Sequence, residues 1–308
     1  MTSSSPSTPS RALILGLADA EGRLSAEPLY AVADAAGITS TTIRLALRRL
    51  VEAGLAETEG RGRRAVLQLT AAGLAERRTD LVPVAAAHRA DAGLDRWDGC
   101  WHLVSFEIPE ADRSTRDALR NRIVELLGAP IGGSLYVSPH RWEPWIAAVA
   151  AGYGVADRVT TMAAARLHHR GATDPAAVAA TLWPVDALIA DYAAFLDRWG
   201  SSPTPTDAAE AVRVAFEASG EIERLLRRDP LLPAELLPAD FGGPAARVRY
   251  LDLMADLAAE PLVAEAEIYQ AYRRAIDRAL AQSADEFWTE AYAHTGRSSA
   301  TAHAGDRA

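Results

Sequence analysis

Residues 37–67, GITSTTIRLALRRLVEAGLAETEGRGRRAVL, constrain this chain more than any other stretch. They set a turn, an arginine-bearing helix and a basic β-hairpin in immediate succession. Gly37 can take the left-handed conformation that turns a chain between two helices. Thr39 or Ser40 can cap the orphan amides at the start of the next helix. Ile43, Leu47 and Leu50 fall on one face at helical spacing and are expected to pack inward. The opposite face carries Ser40, Thr41, Thr42, Arg44 and Arg48, short hydroxyls followed by long cations. Such a helix suits a DNA major groove: its first turn can approach base edges while arginines reach guanines or phosphates. Gly54 ends the helix, and residues 55–57 and 65–69 read as two strands. Their loop, residues 59–64, carries Arg61, Arg63 and Arg64, where a wing would lie along the backbone or dip into the minor groove. Solvated arginines on an ordinary helix are the bland alternative. The joint occurrence of turn, helix and basic wing argues against it, where no one of them would.

Upstream, Ser10 can cap a helix over 11–20, and Pro28 opens another over 29–36. The spacing therefore predicts a winged helix-turn-helix over residues 10–80, preceded by a disordered leader over 1–9. Residues 11–78 hold ten arginines against eight acids, while the remainder holds 22 against 33. An acidic body on a mildly basic head limits non-specific adhesion to DNA and makes binding depend on a dimer that presents two heads. All 32 basic residues are arginine, a matter of codon supply in a GC-rich genome. One cysteine excludes an internal disulfide framework and fits a reducing cytoplasm. No apolar run approaches membrane-spanning length, so no membrane role is expected.

Beyond residue 97 the periodicities change. Residues 100–108 alternate and are rich in strand formers, and Pro109 stops them. A helix follows from Asp112 or Ser114 to Leu127, then a strand over 132–139, a helix over 144–151 and a strand over 159–167. That order predicts a ferredoxin-like unit over 97–170, used for dimerisation. From Asp174 the signal is helical: one helix over 176–196, another capped by Thr206, a break at the three prolines of residues 229–238, and a last run over 243–281. The expected class is α+β multidomain, with an all-α C-terminal domain over 174–282 and a flexible tail over 293–308.

Taken together these segments resemble the PaaX family. The resemblance is carried by Gly62-Arg63-Arg64, by Trp97-Asp98-Gly99-Cys100-Trp101 and by Ser134-Leu135-Tyr136-Val137-Ser138-Pro139. Leu182-Trp183-Pro184-Val185-Asp186 and the proline-punctuated leucine string DPLLPAELLP at residues 229–238 complete it. Two positions depart: Cys100 stands where a basic residue is usual, and Phe241 where a tryptophan is. The resemblance implies a cytoplasmic homodimer that represses transcription of phenylacetate catabolism from a promoter operator, is not an enzyme and needs no cofactor. It also implies release by an acyl-CoA thioester such as phenylacetyl-CoA. An effector pocket between the middle and C-terminal domains would then use Trp183, Tyr192 and Trp199 around an aryl group, with Arg141 and Arg166 on phosphates. Trp183 and Tyr192 equally fit a helical core stripe.

Two competing chemistries are open to these residues. The strand ending at Glu107 is similar to that of small ferredoxin-like CRISPR nucleases, in which an acid at that position binds a metal. Glu107 would then serve a metal-dependent nuclease. Glutamate in place of the usual aspartate speaks against it. His168 and His169, adjacent on a strand, point to opposite faces and do not ligate together, so no metal is expected. Cys100 is expected as a small buried apolar residue. A DNA-binding regulator with no effector is the remaining alternative.

Overall fold

The computed structural model describes residues 9–60, 62–264 and 267–295. The chain begins with α1 (Pro9–Leu17), β1 (Arg23–Ser25), α2 (Ala26–Ala35) and α3 (Ser40–Glu52), followed by β2 (Ala56–Glu59), β3 (Val66–Leu69) and α4 (Ala71–Asp91). Next come β4 (Trp101–Phe106), α5 (Arg113–Glu125), β5 (Ala129–Gly132), β6 (Leu135–Ser138), α6 (Glu143–Gly152), β7 (Val159–Ala164) and α7 (Pro175–Leu182). Helices α8 (Val185–Trp199), α9 (Ala208–Arg228), α10 (Gly243–Leu257), α11 (Pro261–Ala264), α12 (Glu267–Ala281) and α13 (Ala284–Thr295) complete the described chain.

Two compact units result. The first joins the residues up to His88 with Asp191–Arg227 and Gly242–Ala281; the second joins Arg89–Ala190 and Arg228–Phe241 with the residues from Gln282 onward. In the first unit, β1, β3 and β2 form an antiparallel sheet in that spatial order. Leu24, Leu67 and Leu69 turn inward from it. Helix α1, apolar through Leu13, Ile14, Leu15 and Leu17, packs against α3 and α12. Two buried polar contacts order the helices of this unit. The Ser219 hydroxyl lies 2.9 Å from that of Tyr250, and Arg247 donates to the Tyr192 hydroxyl at 3.2 Å.

The second unit holds a four-stranded sheet in the order β5-β6-β4-β7, every neighbouring pair antiparallel. With β4-α5-β5-β6-α6-β7 as the chain order, this is the ferredoxin-like topology. Period-two burial puts alternate residues of β4 into two cores. Val104 and Phe106 pack with Leu119, Ile123, Trp142 and Ile146 of the α5–α6 side. Trp101 and Leu103 pack with Val178, Trp183, Leu232 and Leu236 on the other.

Several elements depart from the expected boundaries for physical reasons. The single helix expected over 176–196 is two, α7 and α8, bent by 81°. Pro184 is responsible: it disfavours helical backbone at the residue before it, and Trp183 is extended at φ −120°, ψ 152°. The last run divides into α10, α11 and α12, and α13 continues to Thr295. Strand β7 ends at Ala164, so His168 and His169 follow it in a tight turn bridged by His169 and Ala172. Cys100 is half-buried in the turn before β4, its N–H donating to Asp98 Oδ1 at 2.9 Å. No single helix among the described residues is long and apolar enough to cross a membrane.

Candidate nucleic-acid interface

The turn between α2 and α3 forms as its glycine requires. Gly37 sits at φ 72°, its N–H donating to the Asp34 carbonyl, while the Ile38 N–H donates to that of Ala33 at 2.8 Å. Thr39, not Ser40, is the cap: its Oγ1 accepts from the Thr42 N–H at 3.2 Å and lies 2.9 Å from the Thr42 hydroxyl. Ile43, Ala46 and Leu50 anchor α3 from its buried side, and Leu47 is half-buried.

The opposite side of α3 is open. Ser40, Thr41, Thr42, Arg44 and Arg48 are all exposed, and so are Leu45 and Arg49 between them. Arg44 is folded back onto the first turn, its Nε donating to the Ser40 carbonyl and its Nη2 to Thr41 Oγ1, both at 3.2 Å. These are single neutral-acceptor bonds at the surface, and a guanine or phosphate offering two acceptors would outbid them. Arg48 pairs with Glu52 at 3.2 Å, one turn on, with both side chains largely exposed. Such surface pairs contribute little and exchange readily for another anion.

The hairpin after α3 is tied to that helix at its base. Gly54 (φ 70°) ends the helix, and Thr70 fastens the far end, its Oγ1 donating to the Gly54 carbonyl at 2.8 Å and its N–H to that of Leu55. Strand β1 supplies the hairpin's other flank, Ser25 facing Val66 and Arg23 facing Gln68. Sequence periodicity missed this three-residue strand; Leu24 between two polar residues is its one signal. The loop carries a one-turn 3₁₀ segment, Gly62–Arg64, with Arg64 exposed. Arg61 and the side chain of Arg63 lie outside the described residues. Glu57 and Glu59 are exposed on β2, so the hairpin is not uniformly basic.

Trp183 is buried in the second unit, stacked on Trp101 at 6.4 Å and 14°. Tyr192 and Trp199 belong to the first unit. Tyr192 accepts from Arg247, and Trp199 donates through Nε1 to Glu221 Oε2 at 3.0 Å beneath the Arg198 guanidinium. Arg141 is exposed and donates to Asp98 Oδ2 at 3.0 Å; Arg166 is exposed beyond β7. Asp98 is the hub of a cluster that spacing did not reveal. Buried His102 faces Asp98 Oδ2 through Nε2 (3.1 Å) and Glu143 Oε1 through Nδ1 (2.5 Å). Desolvation by partial burial is the largest single influence on the Asp98 carboxyl and raises it, but the Cys100 amide, His102 and Arg141 together outweigh it and hold the group below the usual carboxylate range. Glu107 is exposed at the end of β4, in a cleft of about 710 Å³ that it lines with Phe106, Arg116, Asp117, Arg120 and Tyr136. Among the described residues no group of three His, Cys, Asp or Glu side chains is arranged to hold a metal ion.

Comparison with known proteins gives two family matches. Residues 94–179 match the PaaX protein central Cas2-like domain, and residues 183–265 match the PaaX-like protein C-terminal domain. The two matches adjoin and cover more than half of the chain. It belongs to the PaaX family. The Cas2-like match coincides with the ferredoxin-like sheet, and the second begins at Trp183, where the chain turns at Pro184. Among solved structures, the uncharacterized protein Rv0674 from Mycobacterium tuberculosis is similar at 26% identity and a TM-score of 0.53, over 85% of this chain and 96% of that one. No curated protein matches.

Proposed function

We propose that this PaaX-family chain is a ligand-responsive transcriptional repressor that binds operator DNA through a winged helix-turn-helix head, as a homodimer in the cytoplasm, and is not an enzyme. The observation that carries the reading is the open face of α3. A capped first turn presents three hydroxyls, and two arginines follow in positions held only by weak surface contacts. A helix so anchored can place Ser40, Thr41 and Thr42 against base edges and swing Arg44 onto a guanine, while Arg48 meets phosphate. Arg61, Arg63 and Arg64 belong to the wing in this reading and supply sequence-independent affinity.

Family membership supports the regulatory role and suggests an acyl-CoA effector, phenylacetyl-CoA or a related aryl thioester. An effector relieves repression only if it binds the DNA-incompetent arrangement of two heads better than the competent one. Arg141 and Arg166 remain the candidate contacts for its phosphates, and Trp183, Tyr192 and Trp199 for its aryl group. The test is fluorescence anisotropy of the full chain on DNA from its own upstream region, titrated with acyl-CoA thioesters. Tight, salt-sensitive binding released by an aryl-acetyl-CoA is expected. Binding indifferent to every thioester would remove the effector, and absence of specific binding would remove the repressor.

A further inference from the structure

The two edges of the middle sheet differ in kind. The β5 edge carries Pro130 and a register shift between Pro130 and Gly132, two devices that stop a further strand from adding. The β7 edge carries neither. It pairs with β4 in unbroken register from Val159 to Ala164, and its sequence, VTTMAA, is uncharged throughout. Residues 160–163 are exposed on both faces of the sheet, although their β4 neighbours Leu103 and Val104 lie in the two cores. Met162 is 44% exposed beside Leu103 at 5%. Natural sheets disarm an open edge with charge, proline or a bulge, and an edge with none of these is built to receive a strand.

We propose that β7 pairs antiparallel with β7 of a second copy of this chain, joining the two four-stranded sheets into one across a two-fold axis. This gives the dimer of the repressor reading its contact surface; it rests on that reading for its purpose and not for its test. The occupant follows from self-complementarity. A two-fold axis perpendicular to a sheet keeps side chains on their own faces, so it passes through a residue and not between two. An axis through Thr161 sets Thr161 against itself, Thr160 against the second copy's Met162 and Val159 against its Ala163. These threonine and apolar cross-strand pairs are favourable. An axis through Met162 instead brings Arg158, paired with Asp112 at 3.3 Å, toward the second copy's Arg166, each just beyond the end of β7. The register with Thr161 on the axis is therefore the one the flanking residues select. A neutral edge also meets its own copy without repulsion, which a charged edge does not.

Sedimentation equilibrium of the full chain without DNA tests the contact, and site-directed crosslinking tests the register. Thr161→Arg sets two guanidinium groups on the axis at an exposed position. It is expected to raise the dimer dissociation constant by at least about tenfold, with the circular dichroism spectrum unchanged. Cys100 is the sole cysteine, so Thr161→Cys with Cys100→Ser is expected to form an intermolecular disulfide under mild oxidation. Met162→Cys in the same background is expected to form far less. A monomeric wild-type chain, or a Thr161→Arg chain that dimerises as tightly as wild type, would overturn the proposal. Equal crosslinking from both cysteine positions would overturn the register. Operator binding lost while the dimer persists would count against the DNA reading alone.

Discussion

At the residue scale, His140 shows how burial sets a titration. Its ring packs 5.7 Å from that of Trp288, and its buried Nε2 has no hydrogen-bond partner among the described residues. Burial pushes its pKa down to about 4, against weaker opposing contributions from Asp95 and from the Leu231 and Pro230 backbone. Between its ordinary value near 6.5 and about 4, the unfolded chain takes up a proton that the folded chain refuses. Stability from this site is therefore complete above that window and is lost as the pH falls through it, at up to about 1.4 kcal/mol per pH unit. Comparing unfolding free energies of wild type and His140→Phe across this range checks it: the variant should lose part of the acid slope. A slope identical in both would show that His140 titrates alike folded and unfolded.

At the element scale, the end of α5 depends on a glycine for space. A Cβ on Gly128 would stand 2.6 Å from the Trp142 ring and 2.8 Å from the Ile123 carbonyl, inside the core of the second unit. Gly128→Ala should destabilise by roughly 1–3 kcal/mol through overpacking, read from denaturant midpoints at constant m. The proposed wing makes a different prediction. Arg64→Ala should weaken DNA binding evenly on operator and random sequence, and lower the slope of log affinity against log salt by about 0.9. Loss confined to the operator would mean that Arg64 reads bases.

Much of this architecture was legible in the sequence, because it rests on local rules. Gly37, Thr39 and Gly54 delimit α3 by backbone conformation and capping, and the alternation of β4 reports burial on both faces. What was illegible depended on tertiary context. Strand β1 is too short to show a period and exists because β3 offers it a partner. Pro184 divides a continuous apolar stripe, so α7 and α8 share a pattern and not an axis. The aromatic residues singled out for a ligand, Trp183, Tyr192 and Trp199, are rings for which core packing and ligand contact leave the same signature. The Asp98–His102–Glu143 cluster joins residues up to 45 positions apart and has no local pattern at all.

At the scale of the whole molecule, charge and specificity are linked. Residues 11–78 carry a slight excess of arginine while the rest of the chain is strongly acidic, giving −9 in all. A chain so balanced gains little from the phosphate backbone alone, so in the proposed repressor operator affinity comes from base contacts and from two heads acting together. Specific binding in this reading therefore depends on α3. The deciding measurement is the affinity of wild type and Arg44→Ala for the upstream operator and for random duplex of equal length, at one fixed salt concentration. Arg44→Ala is expected to lose roughly 1–3 kcal/mol on the operator, with random-sequence binding nearly unchanged. Equal operator affinity in the two proteins would contradict it and remove α3 from the groove.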